Sequence, residues 1–224
     1  MTPTLYHVPK TISSPIVQTL LEIGLVGSNI QVETISFADL KNPSHLAINP
    51  MGTSPAFKDG DTILWESGAV LNYLLETYDK EAKLYAPPGS PKRAKYLQLQ
   101  QYIIATVYPF IASLYIHTLK EEQDKDYVEN AKAKWRELLA PTLTNWLGEG
   151  PFFLGNQMSV VDFLAAKPLN NVKSMDMLEE FPSLKALFDK IQSRPSFSEA
   201  YGMVMTPVSE QPKSRTLSLV PTDP

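Results

Sequence analysis

The stretch NPMGTSPAFKDGDTILWESGAVLNYLLETY, residues 49–78, decides the architecture, because it sets three unlike devices side by side. Ser54-Pro55 follows a loop and directly precedes an extended run. Asp59-Gly60-Asp61 divides residues 56–58 from 62–64, and Asp-Gly between two such runs predicts a hairpin. Glu66-Ser67 then opens a segment whose apolar positions, Val70, Leu71, Leu74, Leu75 and Tyr78, recur at helical spacing. Upstream, the apolar run 4–8 reads as a buried strand. Ser13-Ser14-Pro15, followed by Ile16, Val17, Leu20, Leu21 and Gly24, has the start, spacing and stop of a helix. Residues 30–37 are rich in β-branched side chains and read as a second strand. Strand, helix, strand, hairpin, helix is the order of a small α/β unit over residues 1–80.

Beyond it the pattern changes. Residues 81–90 contain Pro87-Pro88-Gly89, which breaks both kinds of regular element and predicts a linker. Residues 91–205 read as helices throughout. The first, to about Lys120, carries Pro109 and is expected to kink there. A second spans 124–147. Ser159-Val-Val-Asp162 resembles a capping box with Asp in the place of Glu or Gln. Phe181-Pro182 opens a further helix that ends near Arg194-Pro195. Residues 206–224, with several prolines, serines and threonines, read as an irregular tail.

The bulk numbers narrow the function classes. A chain of 224 residues with 43% apolar and 20% charged side chains suits one large or two modest globular units. A net charge of -4 gives no electrostatic footprint for nucleic acid. Cysteine is absent, which removes disulfides, thiolate metal sites and cysteine nucleophiles together. The three histidines, His7, His45 and His117, have no metal-motif spacing, so no metal is expected. No run approaches the roughly 20 apolar residues of a membrane span, and the opening residues give no secretory pattern. The expectation is a cytoplasmic protein without a membrane partner.

Each chemical candidate carries two readings. Pro55 is either an ordinary proline at a strand start or a cis proline that turns the Ser54 backbone outward to pair with an extended peptide. Ser67 is either an N-cap or part of an anion site at a helix start, and one helix end serves both purposes. Ser13 is either a cap for the first helix or a hydroxyl presented from the preceding loop.

Residues 4–205 together resemble the cytosolic glutathione transferases. The resemblance rests on Ser13-Ser14-Pro15, Asn49-Pro50, Ser54-Pro55, Asp59-Gly60, Glu66-Ser67-Gly68-Ala69, the run from Gly155 to Phe163, and the Phe181-Pro182 to Pro195 segment. It implies a thioredoxin-like N-terminal domain (β-α-β-α-β-β-α) and an all-α C-terminal domain that borders the co-substrate pocket. It also implies glutathione as co-substrate, a homodimer, and conjugation of the glutathione thiolate to an apolar electrophile in detoxification. A free thiol ionises near 8.5, so lowering it by about two units needs roughly 2.7 kcal/mol of preference for the thiolate.

In serine-type members, theta and delta especially, the serine two places before the helix-start proline donates to the sulfur. Here that serine is Ser13, with Ser14 and Tyr6 as alternatives. Ser54 and Pro55 would hold the cysteinyl backbone, and Glu66 with Ser67 the γ-glutamyl end. Tyr108, Tyr115, His117, Tyr201 and Met205 are the implied lining of the electrophile pocket. The Glu-Ser-Gly-Ala run is closer to some bacterial and fungal members, which leaves the class open. Two other activities stay open: glutathione-dependent disulfide or peroxide reduction, and a non-catalytic binding or scaffold module.

Overall fold

A computed structural model describes residues 2–202, so Met205 and the tail lie outside the described residues. The elements begin with strand β1 (Thr4–His7), helix α1 (Ser14–Glu22) and strand β2 (Gln31–Thr34). A 3₁₀ turn (Asp39–Lys41) and a short helix α2 (Pro43–Leu46) follow. Strands β3 (Ala56–Asp59) and β4 (Thr62–Trp65) then lead into α3 (Ser67–Tyr78). The four strands form one mixed sheet in the order β2-β1-β3-β4. β2 runs parallel to β1, while β3 pairs antiparallel with both β1 and β4. Gly60 and Asp61 close the predicted hairpin, with Asp59 opposite Thr62.

Strand alternation sorts the side chains of β1. Leu5 and its cross-strand partner Phe57 enter the main core with α1 and α3. Tyr6 points to the other face, where it packs against Val8, Ile35 and Leu40.

The remaining chain is helical: α4 (Arg93–Tyr102), α5 (Tyr108–Thr118), α6 (Lys125–Lys134), α7 (Ala140–Leu147), α8 (Val160–Ser174), α9 (Pro182–Gln192) and α10 (Pro195–Gly202). The kink expected at Pro109 is realised as a π-helical turn, Ile103–Val107, joining α4 to α5. A second π turn, Trp135–Leu139, precedes Pro141 in the same way. Proline lacks an N–H and crowds the carbonyl four residues back, and a widened turn relieves both problems. The continuous helix Arg93–Thr118 is long and apolar enough, by length and composition, to cross a bilayer, which corrects the expectation that no segment is. In this fold its α5 half and π turn pack against α8.

α8 is the central helix of this layer, buried along nearly its whole length. Its start is the expected capping box. Asp162 is fully buried and accepts the Ser159 N–H at 2.7 Å and the Ser159 hydroxyl at 3.2 Å, and its other oxygen takes the Phe153 N–H at 2.9 Å. The two units meet along α1, which packs on α8 and α10. A bidentate pair clasps its end, with Arg194 Nε and Nη2 each 2.6 Å from the Glu22 carboxylate, and the Ser196 hydroxyl donates to the same carboxylate.

Replacing Asp162 by alanine orphans two buried backbone N–H groups. The expected cost is about 3 kcal/mol, read as a lowered urea midpoint with an unchanged slope.

Candidate functional site

The pairing register brings three chain segments to one edge of the sheet. Tyr6, Ala56 and Trp65 stand in one row. The chain therefore leaves β1 through His7 and Val8, enters β3 through Ser54 and Pro55, and leaves β4 through Glu66 and Ser67 at the same edge. The Ser54–Pro55 peptide bond is cis.

The peptide of Val8 organises the first two segments. Its N–H is shared between the hydroxyls of Ser13 (3.3 Å) and Ser54 (3.2 Å). Its carbonyl accepts from the Thr11 hydroxyl at 2.8 Å and the Ser13 hydroxyl at 3.0 Å. Ser13 Oγ also lies 2.7 Å from His7 Nδ1 and 2.8 Å from Thr11 Oγ1. With His7 protonated at Nδ1, the ring donates to Ser13 and the Ser13 proton goes to the Val8 carbonyl. With His7 protonated at Nε2, Ser13 donates to Nδ1. The residue is 0% exposed.

These contacts describe where the expected sulfur donor stands in the fold. Ser13 is neither a presented hydroxyl nor a side-chain cap, because its Oγ turns back onto β1 instead of capping α1. Ser14 is also 0% exposed, and its Oγ accepts the Lys10 N–H at 2.9 Å. Tyr6 lies on the opposite sheet face, edge-on to His45.

His7 is fully buried, and burial pushes its pKa down to about 4. Its Nε2 makes no full hydrogen bond and has the Ala200 carbonyl on its side.

The loop into β3 is held rigidly. Asn49, fully buried, donates to the Thr53 carbonyl at 2.9 Å and to its hydroxyl at 3.1 Å, while its own oxygen takes the Met51 N–H at 3.1 Å. Gly52 has φ +59°, and a Cβ there would stand 2.8 Å from the Leu40 carbonyl oxygen, so both backbone and space require glycine. Lys41 Nζ reaches the Gly52 carbonyl at 3.3 Å, which sets an exposed cation beside the Ser54 segment.

At the third segment Glu66 is exposed and adopts φ +73°, a left-handed conformation costly for a residue with a Cβ and found mostly where a site requires it. Ser67 begins α3 and is nearly buried. No side chain caps the helix, so its first N–H groups remain available to an anion. A Cβ on Gly68 would meet Gln101 Nε2 at 3.4 Å and Ile104 Cδ1 at 3.5 Å, so α4 and its π turn close over this helix end. Lys41 and Gln101 escaped the sequence reading, since nothing local marks either one.

Of the five expected pocket residues, Tyr108 is the first residue of α5 and half-buried, with Lys167 Nζ 6.0 Å from the centre of its ring. Tyr115 lies two turns further along α5, about 10 Å away at 1.5 Å per residue. His117 is further still and belongs to a different contact, its ring 4.4 Å from Tyr127 and its Nδ1 2.8 Å from the Ser113 carbonyl oxygen. Tyr201 does not cap an open pocket. It is stacked on Phe197 and buried, with its hydroxyl unpaired. Met205 lies outside the described residues.

A thioredoxin-like sheet followed by a helical layer, with a helix start, a proline turn and a loop gathered at one edge, defines a two-part fold. The model of the glutathione S-transferase N-terminal domain matches residues 1–76, and that of the C-terminal domain matches residues 105–200. Glutathione S-transferase D6 of Drosophila melanogaster is 27% identical over 180 residues, 79% of this chain and 80% of its own. Glutathione S-transferase F9 of Arabidopsis thaliana is 26% identical over 191 residues, 81% and 87% of the two chains. Among solved structures, glutathione transferase URE2P8 of Phanerochaete chrysosporium, crystallised with oxidized glutathione, superposes with a TM-score of 0.79 at 23% identity, covering 90% and 94%. The chain belongs to the cytosolic glutathione S-transferase superfamily.

His7 generates a prediction. Its folded pKa lies below the unfolded value of about 6.5, so the unfolded chain gains a proton that the folded one refuses. Its contribution is complete above about pH 6.5 and is lost as pH falls toward 4, by on the order of 3 kcal/mol. His7→Gln should be less stable at neutral pH, yet lose less between those limits, as followed by urea denaturation across pH.

Proposed function

We propose that this chain binds glutathione in extended form and directs its thiolate at an apolar electrophile held against the helical layer. The observation that carries the reading is the uncapped start of α3 behind Glu66, one row of the sheet away from Ser54. Glutathione offers an ammonium and a carboxylate on its γ-glutamyl carbon, a peptide in the middle and a second carboxylate at its far end. Glu66 would face the ammonium, while the first N–H groups of α3 and the Ser67 hydroxyl take the neighbouring carboxylate. The Ser54 backbone would pair with the cysteinyl unit as an added strand. Lys41 is the cation placed to meet the glycyl carboxylate. The sulfur then lies toward the β1–α1 turn, facing α5, with the electrophile on the apolar side.

Ser13 also fastens the loop, through its hydroxyl's contacts with Val8 and His7, and Ser14 does so by accepting the Lys10 N–H. Assembly as a homodimer, a cytoplasmic location and a part in detoxification are proposed on family membership alone.

Calorimetry with reduced glutathione, paired with conjugation of an aryl halide, tests this reading. Glu66→Gln should weaken binding about ten-fold, roughly 1.4 kcal/mol, and Ser67→Ala about five-fold, with the melting temperature nearly unchanged in both. A wild-type protein that gives no heat with millimolar glutathione would sink the proposal.

A further inference from the structure

Lys167, in the middle of α8, is a buried cation that the proposed reaction leaves unused. It is 4% exposed, yet among the described residues no carboxylate pairs with it. The one carboxylate on α8, Asp162, is spent on Ser159 and Phe153. Lys167 has three N–H donors, and the acceptor they find is Asn171 Oδ1 at 2.7 Å, a neutral amide. Otherwise its charge faces the Tyr108 ring, with Nζ 6.0 Å from the ring centre. Taking an ammonium out of water without a counterion is costly. Burial lowers its pKa to about 8, which still leaves it charged at neutral pH. A cation so placed favours an anion that reaches it.

The fold sets this cation beside the proposed glutathione site. A Cβ on Gly68, at the start of α3, would meet Ile104 Cδ1 at 3.5 Å. Tyr108 follows Ile104 by four residues, so it stands about one turn further along the same side of that continuous helix. α8 packs on this stretch and brings Lys167 against the Tyr108 ring. The start of α3, Ile104, Tyr108 and Lys167 therefore follow one another from the peptide-binding edge into the helical layer.

We propose that Lys167 selects the co-substrate, an electrophile with an apolar body and a carboxylate whose charge the Lys167 ammonium takes. This rests on the glutathione-transfer reading above and narrows its electrophile to that class. Two spare N–H groups and one positive charge match the two oxygens and one negative charge of a carboxylate. The carboxylate approaches beside Tyr108, which is only half-buried, while the apolar body stays against that ring and Ile104. Away from bulk water such a pair is screened less than on the surface, so it adds to affinity and fixes the electrophile's orientation. The lysine makes and breaks no bond. The thiolate attacks and the leaving group departs as with an uncharged electrophile.

The test uses a matched pair of aryl halides, 4-chloro-3,5-dinitrobenzoate and its methyl ester, with 3,5-dinitrobenzoate and its methyl ester as unreactive counterparts. Calorimetry reads the unreactive pair with and without S-methylglutathione, and kcat/KM for the reactive pair is divided by each uncatalysed rate. Wild type should favour the carboxylate about ten-fold in both measurements. Lys167→Met keeps an unbranched stem without the charge and should bring both ratios to about one. Its melting temperature should hold or rise, because an unpaired buried charge is gone. Lys167→Gln, equally neutral, should give the same ratios and serves if the methionine packs poorly. General damage to the fold lowers both electrophiles alike and leaves the ratio standing. A wild type without preference for the carboxylate overturns the inference, as does a preference that survives in the variants. S-methylglutathione that fails to bind the wild type brings down the underlying reading instead, and its own calorimetric arm detects that separately.

Discussion

The geometry of the site hangs on the backbone of one residue, Val8 at the exit of β1. Its N–H reaches hydroxyls on two different segments, Ser13 before α1 and Ser54 before β3, and its carbonyl accepts two more. Each neutral hydrogen bond contributes only about 1 kcal/mol net, yet a buried donor or acceptor left without a partner costs more than that. The peptide accordingly holds α1 and the Pro55 turn in one arrangement relative to the sheet edge. The hydroxyls that achieve this include Ser13, the one that the serine-type pattern assigns to the sulfur.

α1 extends that constraint to the second layer. One end carries the Val8 knot, and the other carries Glu22, clasped by Arg194 and Ser196. Both carboxylate oxygens are satisfied in a half-buried setting, where a bidentate pair is worth more than an exposed ion pair. Along its length α1 packs on α8 and α10, so the helical layer is registered against the peptide-gripping edge.

Burial also sorts the charges of the interface. The histidine at its heart is kept neutral, and burial pushes the Lys167 pKa down to about 8, so cationic character there is held at a cost.

Much of the fold was legible from local chemistry. The Asp-Gly hairpin, the Ser159/Asp162 box and the amphipathic run after Glu66 are decided by residues within a few positions of one another, and each formed as its pattern required. Pro109 announced a disturbed helix, but nothing in the sequence distinguished a kink from a π turn, because the outcome depends on what packs against that turn. The turns at positions 54, 55, 66 and 67 were readable for the same local reason, each standing next to the end of a strand or the start of a helix. The burial of Ser13 was not, since its contacts with His7 and Val8 follow from the alternation of β1 and the docking of α1. The aromatic stripe on α5 offered Tyr108, Tyr115 and His117 alike. The packing of that helix on α8 and α6 separated them, leaving Tyr108 beside Lys167 of α8 and His117 against Tyr127 of α6. Sequence determines which groups a segment can offer, whereas the contacts between distant segments decide which offered hydroxyls stay free.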